Sequence, residues 1–270
     1  MTGLKRIARR QGLYKRFRYS VFYDWYARVR RPEYATGLAN DRTFYRTLFN
    51  GGVKSVFDIG ANVGDKSRVF GELAGHVLCV EPDPDLADIL RYRFKGRRDM
   101  VVKCAAVGDA IGSASLHRKQ FAGFNTLSEK WSEHSAELNV GSRDSIAVPV
   151  TTLDRLMVDH GRPDYVKIDV EGYELAVLRG LSAAIRTISF ESNLPVFRDE
   201  TLQAIERIKA LDSNYRFNVR PMDGASFVLP SHVDASELSQ FVRSAGTVTY
   251  DLFAMRPGGP PDPAGAAGLA

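Results

Sequence analysis

The apolar run Ser55-Val56-Phe57 passes straight into Asp58-Ile59-Gly60-Ala61-Asn62-Val63-Gly64 and then into a helical pattern. A first strand that ends in glycines lets the backbone turn sharply and approach a ligand closely, which places a crevice at the strand's carboxyl end. Downstream, apolar runs keep alternating with helical stretches, the pattern of parallel strands joined by right-handed crossovers. Strands are expected at Ser55–Ile59, His76–Glu81, Met100–Ala106, Tyr165–Val170 and Thr187–Glu191. Helices are expected at Lys66–Leu73, Pro84–Phe94, Glu174–Leu181 and Glu200–Leu211. Arg216–Arg220 and Ser226–Leu229 flank an Asp223-Gly224 turn and read as a hairpin, with Thr247–Met255 as one further strand. The expected architecture is α/β, a mostly parallel sheet with antiparallel final strands.

The 270 residues fit one such domain with appendages, since a single core serves a chain of up to ~250–300 residues. Three segments are expected: a basic, aromatic helical arm at 1–50, the α/β domain at 51–256, and a Pro, Gly and Ala tail at 257–270 without fixed structure. Residues 1–31 carry ten Lys and Arg against one acid, Asp24, so this segment is +9 and the rest of the chain is −4 within a total of +5. The surplus is thus local, and a nucleic-acid partner is not expected. Tyr14, Phe17, Val21, Trp25 and Val29 recur every three or four residues, as on an amphipathic helix. Such a helix either docks its aromatic stripe on the domain, or lies on an anionic membrane surface or over the active site. Pro32 should break it, ahead of a short helix around Asp41–Phe49. No apolar run approaches the ~20 residues that span a bilayer, and the start lacks a secretory h-region, so a cytoplasmic location is expected. Cys79 and Cys104 sit in apolar runs without metal spacing and read as buried thiols; the histidines show no partner spacing either.

Glycine-rich strand–helix turns serve dinucleotides, triphosphates and S-adenosylmethionine alike, and spacing separates them. The loop has G-x-x-x-G where a dinucleotide fingerprint needs G-x-G-x-x-G. It comes within one residue of a Walker loop, with Asp65 in place of the second glycine before Lys66-Ser67. Acids at Asp58 and Asp65 disfavour a triphosphate and suit a cofactor that carries a sulfonium and an ammonium. Glu81, ~20 residues past the loop at a strand end, is the expected acceptor for ribose hydroxyls. Pro82 and Asp83 follow it, Asp83 with the alternative of a simple helix cap before Pro84. Ala106 and Val107, after a third strand, are small enough for an adenine ring. The donor set is therefore Asp58, Gly60, Asn62, Gly64, Glu81, Pro82, Asp83, Ala106 and Val107.

Together with Val150-Thr151-Thr152-Leu153-Asp154, Lys167-Ile168-Asp169-Val170-Glu171-Gly172-Tyr173-Glu174 and Val177-Leu178-Arg179-Gly180, these segments resemble the FkbM-type methyltransferases over residues 53–195. The resemblance implies a Rossmann-like class I methyltransferase fold with a seven-stranded sheet. It also implies transfer of a methyl group from S-adenosylmethionine, usually to a hydroxyl of a sugar or polyketide-like acceptor; N-methylation and an inactive surface-binding module are the alternatives.

Transfer from a sulfonium is an in-line displacement, so the enzyme aligns the acceptor and removes its proton. Lys167, Asp169 and Glu171 alternate at a strand end, where unpaired charge is costly unless it is used. Asp169 and Glu171 read as acceptor-side carboxylates, one of them a general base; the bland alternative is an ion pair with Lys167 plus a capping acid. A divalent cation held by Asp169 and Glu191, completed by Ser192 or Asn193, is possible but not required. Asn125, within Phe121–Leu127, is a candidate pocket residue, and Ser128–Ser145 reads as an insertion that forms part of a lid. A small-molecule, glycan or glycolipid hydroxyl is the expected acceptor.

Overall fold

The computed structural model describes residues 32–257 apart from Gly51 and Asp223; the basic arm at 1–31 and the tail from 258 onward lie outside the described residues. Five parallel strands, β1 (Ser55–Ile59), β2 (His76–Val80), β3 (Met100–Lys103), β7 (Tyr165–Ile168) and β8 (Thr187–Leu194), form most of a seven-stranded sheet. β9 (Arg216–Pro221) and β10 (Val248–Met255) complete it in the order β3-β2-β1-β7-β8-β10-β9. β10 runs antiparallel to both of its neighbours and supplies the antiparallel end of the sheet.

Side chains alternate across this sheet, and each face has its own helical layer. Phe57, Ile59, Leu78, Val80, Val166 and Ile168 face α5 (Leu153–His160), α6 (Glu174–Arg179), α7 (Arg198–Leu211) and α8 (Ala235–Ser244). Val56, Val77, Cys79, Tyr165 and Phe253 face α1 (Pro32–Phe49), α2 (Asp65–Leu73) and α3 (Pro84–Arg93). Pro32 stands at the first position of α1 rather than ahead of it, where its fixed φ suits a helix and its missing N–H costs nothing. Phe44, Tyr45, Leu48 and Phe49 of α1 enter the second core, with Tyr45 edge-on to Phe70 at 4.8 Å between ring centres.

Three local expectations are corrected. The Met100–Ala106 run divides, because Ala106 turns away to pair with Val150. β4 (Ala106–Val107) joins a second, three-stranded sheet in the order β4-β6-β5, with β5 (Gly112–Lys119) and β6 (Ser142–Thr151) antiparallel. Ser128–Ser145, read above as an insertion, carries regular structure of its own: α4 (Glu129–Glu137) followed by the start of β6. Ser226–Leu229 forms no strand. The Asn218 side chain takes up the hydrogen-bonding groups of Leu229, with Nδ2 donating to its carbonyl at 3.0 Å and Oδ1 accepting its N–H at 3.1 Å, while the Val228 N–H donates to the Val219 carbonyl at 2.8 Å without extending into a ladder. Cys79 is buried, whereas Cys104 is only partly so. No helix among the described residues is long and apolar enough to cross a membrane.

Candidate active site

The carboxyl ends of β1, β2 and β7 open onto a pocket of about 620 Å³. Of the nine residues expected to hold the donor, Gly60, Asn62, Glu81, Pro82, Ala106 and Val107 line it. Gly60 has φ +82°, and a Cβ there would lie 1.7 Å from the carbonyl oxygen of Asp169, so only glycine lets β1 and β7 end side by side. Both Gly60 N–H and Ala61 N–H then donate to the Val80 carbonyl, which ties the loop to β2. The Glu81 carboxylate accepts the Asn62 N–H at 2.8 Å and the Asp83 N–H at 2.9 Å, one on each oxygen. Each oxygen keeps acceptor capacity for a ligand hydroxyl. Burial raises the Glu81 pKa to about 7 against the pull of those two N–H groups.

The other three stand behind the pocket. Asp58 is buried and accepts the Ser67 hydroxyl at 2.5 Å; burial raises its pKa, opposed by Lys167 and Ser67. Gly64 caps α2 with φ +83°, and a Cβ there would meet Leu90 at 2.6 Å, so its smallness serves the packing of α2 on α3. Asp83 is the N-cap of α3, accepting the Asp85 N–H at 2.9 Å, and its second oxygen accepts from the Asn125 side chain at 3.1 Å. Asn125 lines the pocket, but its amide is occupied by Asp83 and by the Lys119 N–H, so it holds the loop in place.

The resemblance to a Walker loop ends in the side chains. The Lys66 ammonium turns to Asp41 of α1 at 2.7 Å and the Ser67 hydroxyl to Asp58. Asp65 is paired with Arg93 at 2.8 Å, so its charge does not stand alone at the loop; the diverted Lys66 and Ser67 are what unmake a triphosphate cradle.

Asp169 and Glu171 form the facing wall with Val170 and Tyr173. Glu191, from β8, completes a group of three carboxylates whose oxygens lie within 4.8 Å of one another. Burial, then the neighbouring carboxylates, raises the pKa of both Glu171 and Glu191, with Lys167 opposing. Lys167 does not line the pocket. Its side chain is 2% exposed, and its ammonium contacts Asp169 at 2.5 Å. Burial works against its charge, yet Asp169, Asp58 and Asp251 overcome this and raise its pKa. Lys167 is thus the counter-charge beneath the carboxylates. Asn193 stands beside Glu191 and donates to it at 3.1 Å, while Ser192 faces Thr201 instead. Three such carboxylates offer the oxygen donors that a magnesium-type cation takes.

The charged row follows from register. Asp58 pairs with Lys167 across β1 and β7, Glu191 with Asp251 across β8 and β10, and Asp251 with Arg220 across β10 and β9. Sequence reasoning did not reach Asp251 as part of the site, because its partners lie on other strands; Thr126 entered only within Phe121–Leu127 and Glu174 only within the Lys167–Glu174 block, without the backbone partners that define their roles.

Residues 58–219, more than half of the chain, match the methyltransferase FkbM domain. A hexuronic acid methyltransferase of Haloferax volcanii, AglP, is 27% identical over 139 residues, which are 50% of this chain and 53% of the relative. The chain thus spans about half the length of that relative. Among solved structures, a methyltransferase FkbM from Methylobacillus flagellatus is similar with a TM-score of 0.47 and 16% identity, covering 76% of this chain and 44% of the other. The plantazolicin methyltransferase BpumL in complex with SAH is similar with a TM-score of 0.44 and 12% identity, covering 84% of this chain and 86% of the other. A β1 loop closed on Glu81, a carboxylate turn after β7 and a family match spanning both lead to one conclusion: the chain belongs to the methyltransferase FkbM domain family.

Proposed function

We propose that this chain moves the methyl group of S-adenosylmethionine to a hydroxyl of a neutral sugar or glycan acceptor. The observation that carries this is the meeting, in one pocket, of a nucleoside-type cradle and a carboxylate pair. Gly60, Asn62, Glu81 and the small residues Ala106 and Val107 stand on one side, and Asp169 and Glu171 on the other. Glu81 would accept the ribose hydroxyls, and the carboxylates favour the sulfonium electrostatically. An acceptor oxygen attacks the methyl carbon in line with the C–S bond. The bond to sulfur breaks, its electron pair stays on sulfur, and the hydroxyl proton passes to Glu171 or Asp169. A hydroxyl needs such a base more than an amine does, and this favours O- over N-methylation.

The same cluster disfavours an acidic acceptor. A uronic acid whose carboxylate faced Asp169, Glu171 and Glu191 would add a fourth acid to the cluster, which argues for an uncharged sugar rather than the hexuronic acid in the haloarchaeal relative's name. Incubation with isotope-labelled S-adenosylmethionine, methyl glucoside and methyl glucuronoside, read by mass spectrometry, tests both statements. Label should enter the neutral glycoside in preference, as a base-stable methyl ether. Label only in the glucuronoside contradicts the proposal.

The spacing of the three carboxylates favours a second reading, in which Asp169, Glu171 and Glu191 hold a divalent cation that stabilises an alkoxide. Transfer abolished by a chelator and restored by magnesium would select it. Transfer unaffected by the chelator selects the metal-free base.

A further inference from the structure

Glu171 is a non-glycine residue with φ +55°, followed by Gly172 at +89°, so the turn that carries the candidate base sits in a conformation that side-chain-bearing residues avoid. Three contacts over-determine it. The Glu174 carboxylate reaches back and accepts both the Val170 N–H and the Gly172 N–H at 3.1 Å, one on each side of Glu171. The Thr126 hydroxyl donates to the Glu171 carbonyl at 2.7 Å and accepts the Ser128 N–H at 2.8 Å. Phe197 closes the third side, 2.5 Å from where a Gly172 Cβ would stand.

Thr126 is itself held. It exchanges both backbone hydrogen bonds with His117 of β5, so the second sheet supplies the fixed point. Both Thr126 and Glu174 are buried. Burial of Glu174 is the main influence on its carboxyl, raised to about 7 although its backbone donors pull the other way, as for a group retained at some cost to the fold.

We infer that Thr126 and Glu174 are positioning residues that clamp the Val170–Gly172 turn and so present the Glu171 carboxylate to the acceptor. The inference rests on Glu171 being the base. The clamp acts on the backbone of Glu171, so its loss should lower turnover without loosening the donor cradle, whose loops end on β1 and β2. Removing the clamp frees the turn from the left-handed region and lets the carboxylate leave Asp169 and Glu191.

The test compares Thr126→Val, which keeps the shape and removes the hydroxyl, with Thr126→Ser, which keeps it, and with Glu174→Ala. Crystal structures of Thr126→Val and Glu174→Ala need no acceptor. They should show Glu171 outside the left-handed region, and a φ near +55° retained in both overturns the inference. With tritiated S-adenosylmethionine and methyl glucoside, kcat should fall by roughly 10- to 100-fold in Thr126→Val, with the affinity for S-adenosylhomocysteine within about twofold of wild type. Thr126→Ser should recover most of the loss. In a Glu171→Gln background, Thr126→Val should add nothing, because it acts through Glu171. Full activity of Glu171→Gln overturns the assignment of the base itself. An inactive Glu171→Gln together with an unimpaired Thr126→Val overturns the clamp alone.

Discussion

Gly64 shows how a residue can fit a loop pattern for a reason that the pattern does not reveal. Gly64 belongs to the glycine-rich loop, yet its missing Cβ makes room for Leu90 of α3 and Phe94 at the end of that helix rather than for a ligand. Gly64→Ala should therefore cost about 2–4 kcal/mol of unfolding free energy, from the left-handed penalty and from overpacking together. Urea denaturation measures it, and a loss below about 0.5 kcal/mol would show that the site relaxes freely. Glu81, in contrast, faces the pocket with both oxygens already anchored by backbone N–H groups, so its geometry is set before a ligand arrives. Its place at a strand end ~20 residues past the loop was legible in the sequence. Asp83 as the cap before Pro84 was legible as an alternative; that Asn125 ties a loop was not, since its contact with Asp83 spans 42 residues.

At the scale of elements, legibility followed burial. β1, β2, β7 and β8 are buried on both faces, so their apolar runs stand out. The first halves of β5 and β6 are largely exposed, and Ser-Ala-Ser-Leu-His or Ser-Arg-Asp-Ser carries no strand signal of its own. The second sheet thus went unseen, and with it the anchor of the pocket's outer wall. The false hairpin at Ser226–Leu229 has the opposite origin. Its composition suits a strand, but Asn218 satisfies the backbone at Leu229 from the side, and Phe227 is drawn to Phe44 and Phe253 at 5.0 and 5.2 Å.

Across the whole molecule, the sheet carries a row of buried charge whose outer members come from helices. Arg220 is fully buried, contacts Asp41 at 2.6 Å and stacks over Phe44 at 4.3 Å. Asp41 also binds Lys66, so α1, α2 and β9 meet at one carboxylate. Asp41→Ala leaves a buried guanidinium without its main partner and should cost about 3–5 kcal/mol in a denaturation experiment. A loss under about 1 kcal/mol would mean that Asp251 compensates alone. The other carboxylates set the pH dependence. Glu81 and Glu174 are raised from 4.5 to about 7 on folding, so the folded state binds protons more tightly than the unfolded one. Their contribution to stability is complete below the unfolded value and is lost as pH rises through about 7. His160, lowered mainly by burial, opposes this as pH falls through its ordinary range, as a single partly exposed group. The ligand-free protein should therefore melt at a higher temperature at pH 5.5 than at pH 8, and the reverse order would show that these carboxyls are not desolvated as described.

Calorimetric titration of S-adenosylhomocysteine into the wild-type chain and into Glu81→Gln bears most directly on the identity of the pocket, because it needs no acceptor. One molecule should bind per chain, Glu81→Gln should weaken binding by roughly 10- to 100-fold, and ATP should give no heat. Binding of ATP in place of S-adenosylhomocysteine, or an affinity untouched by the loss of the Glu81 carboxylate, would contradict the assignment of the donor site.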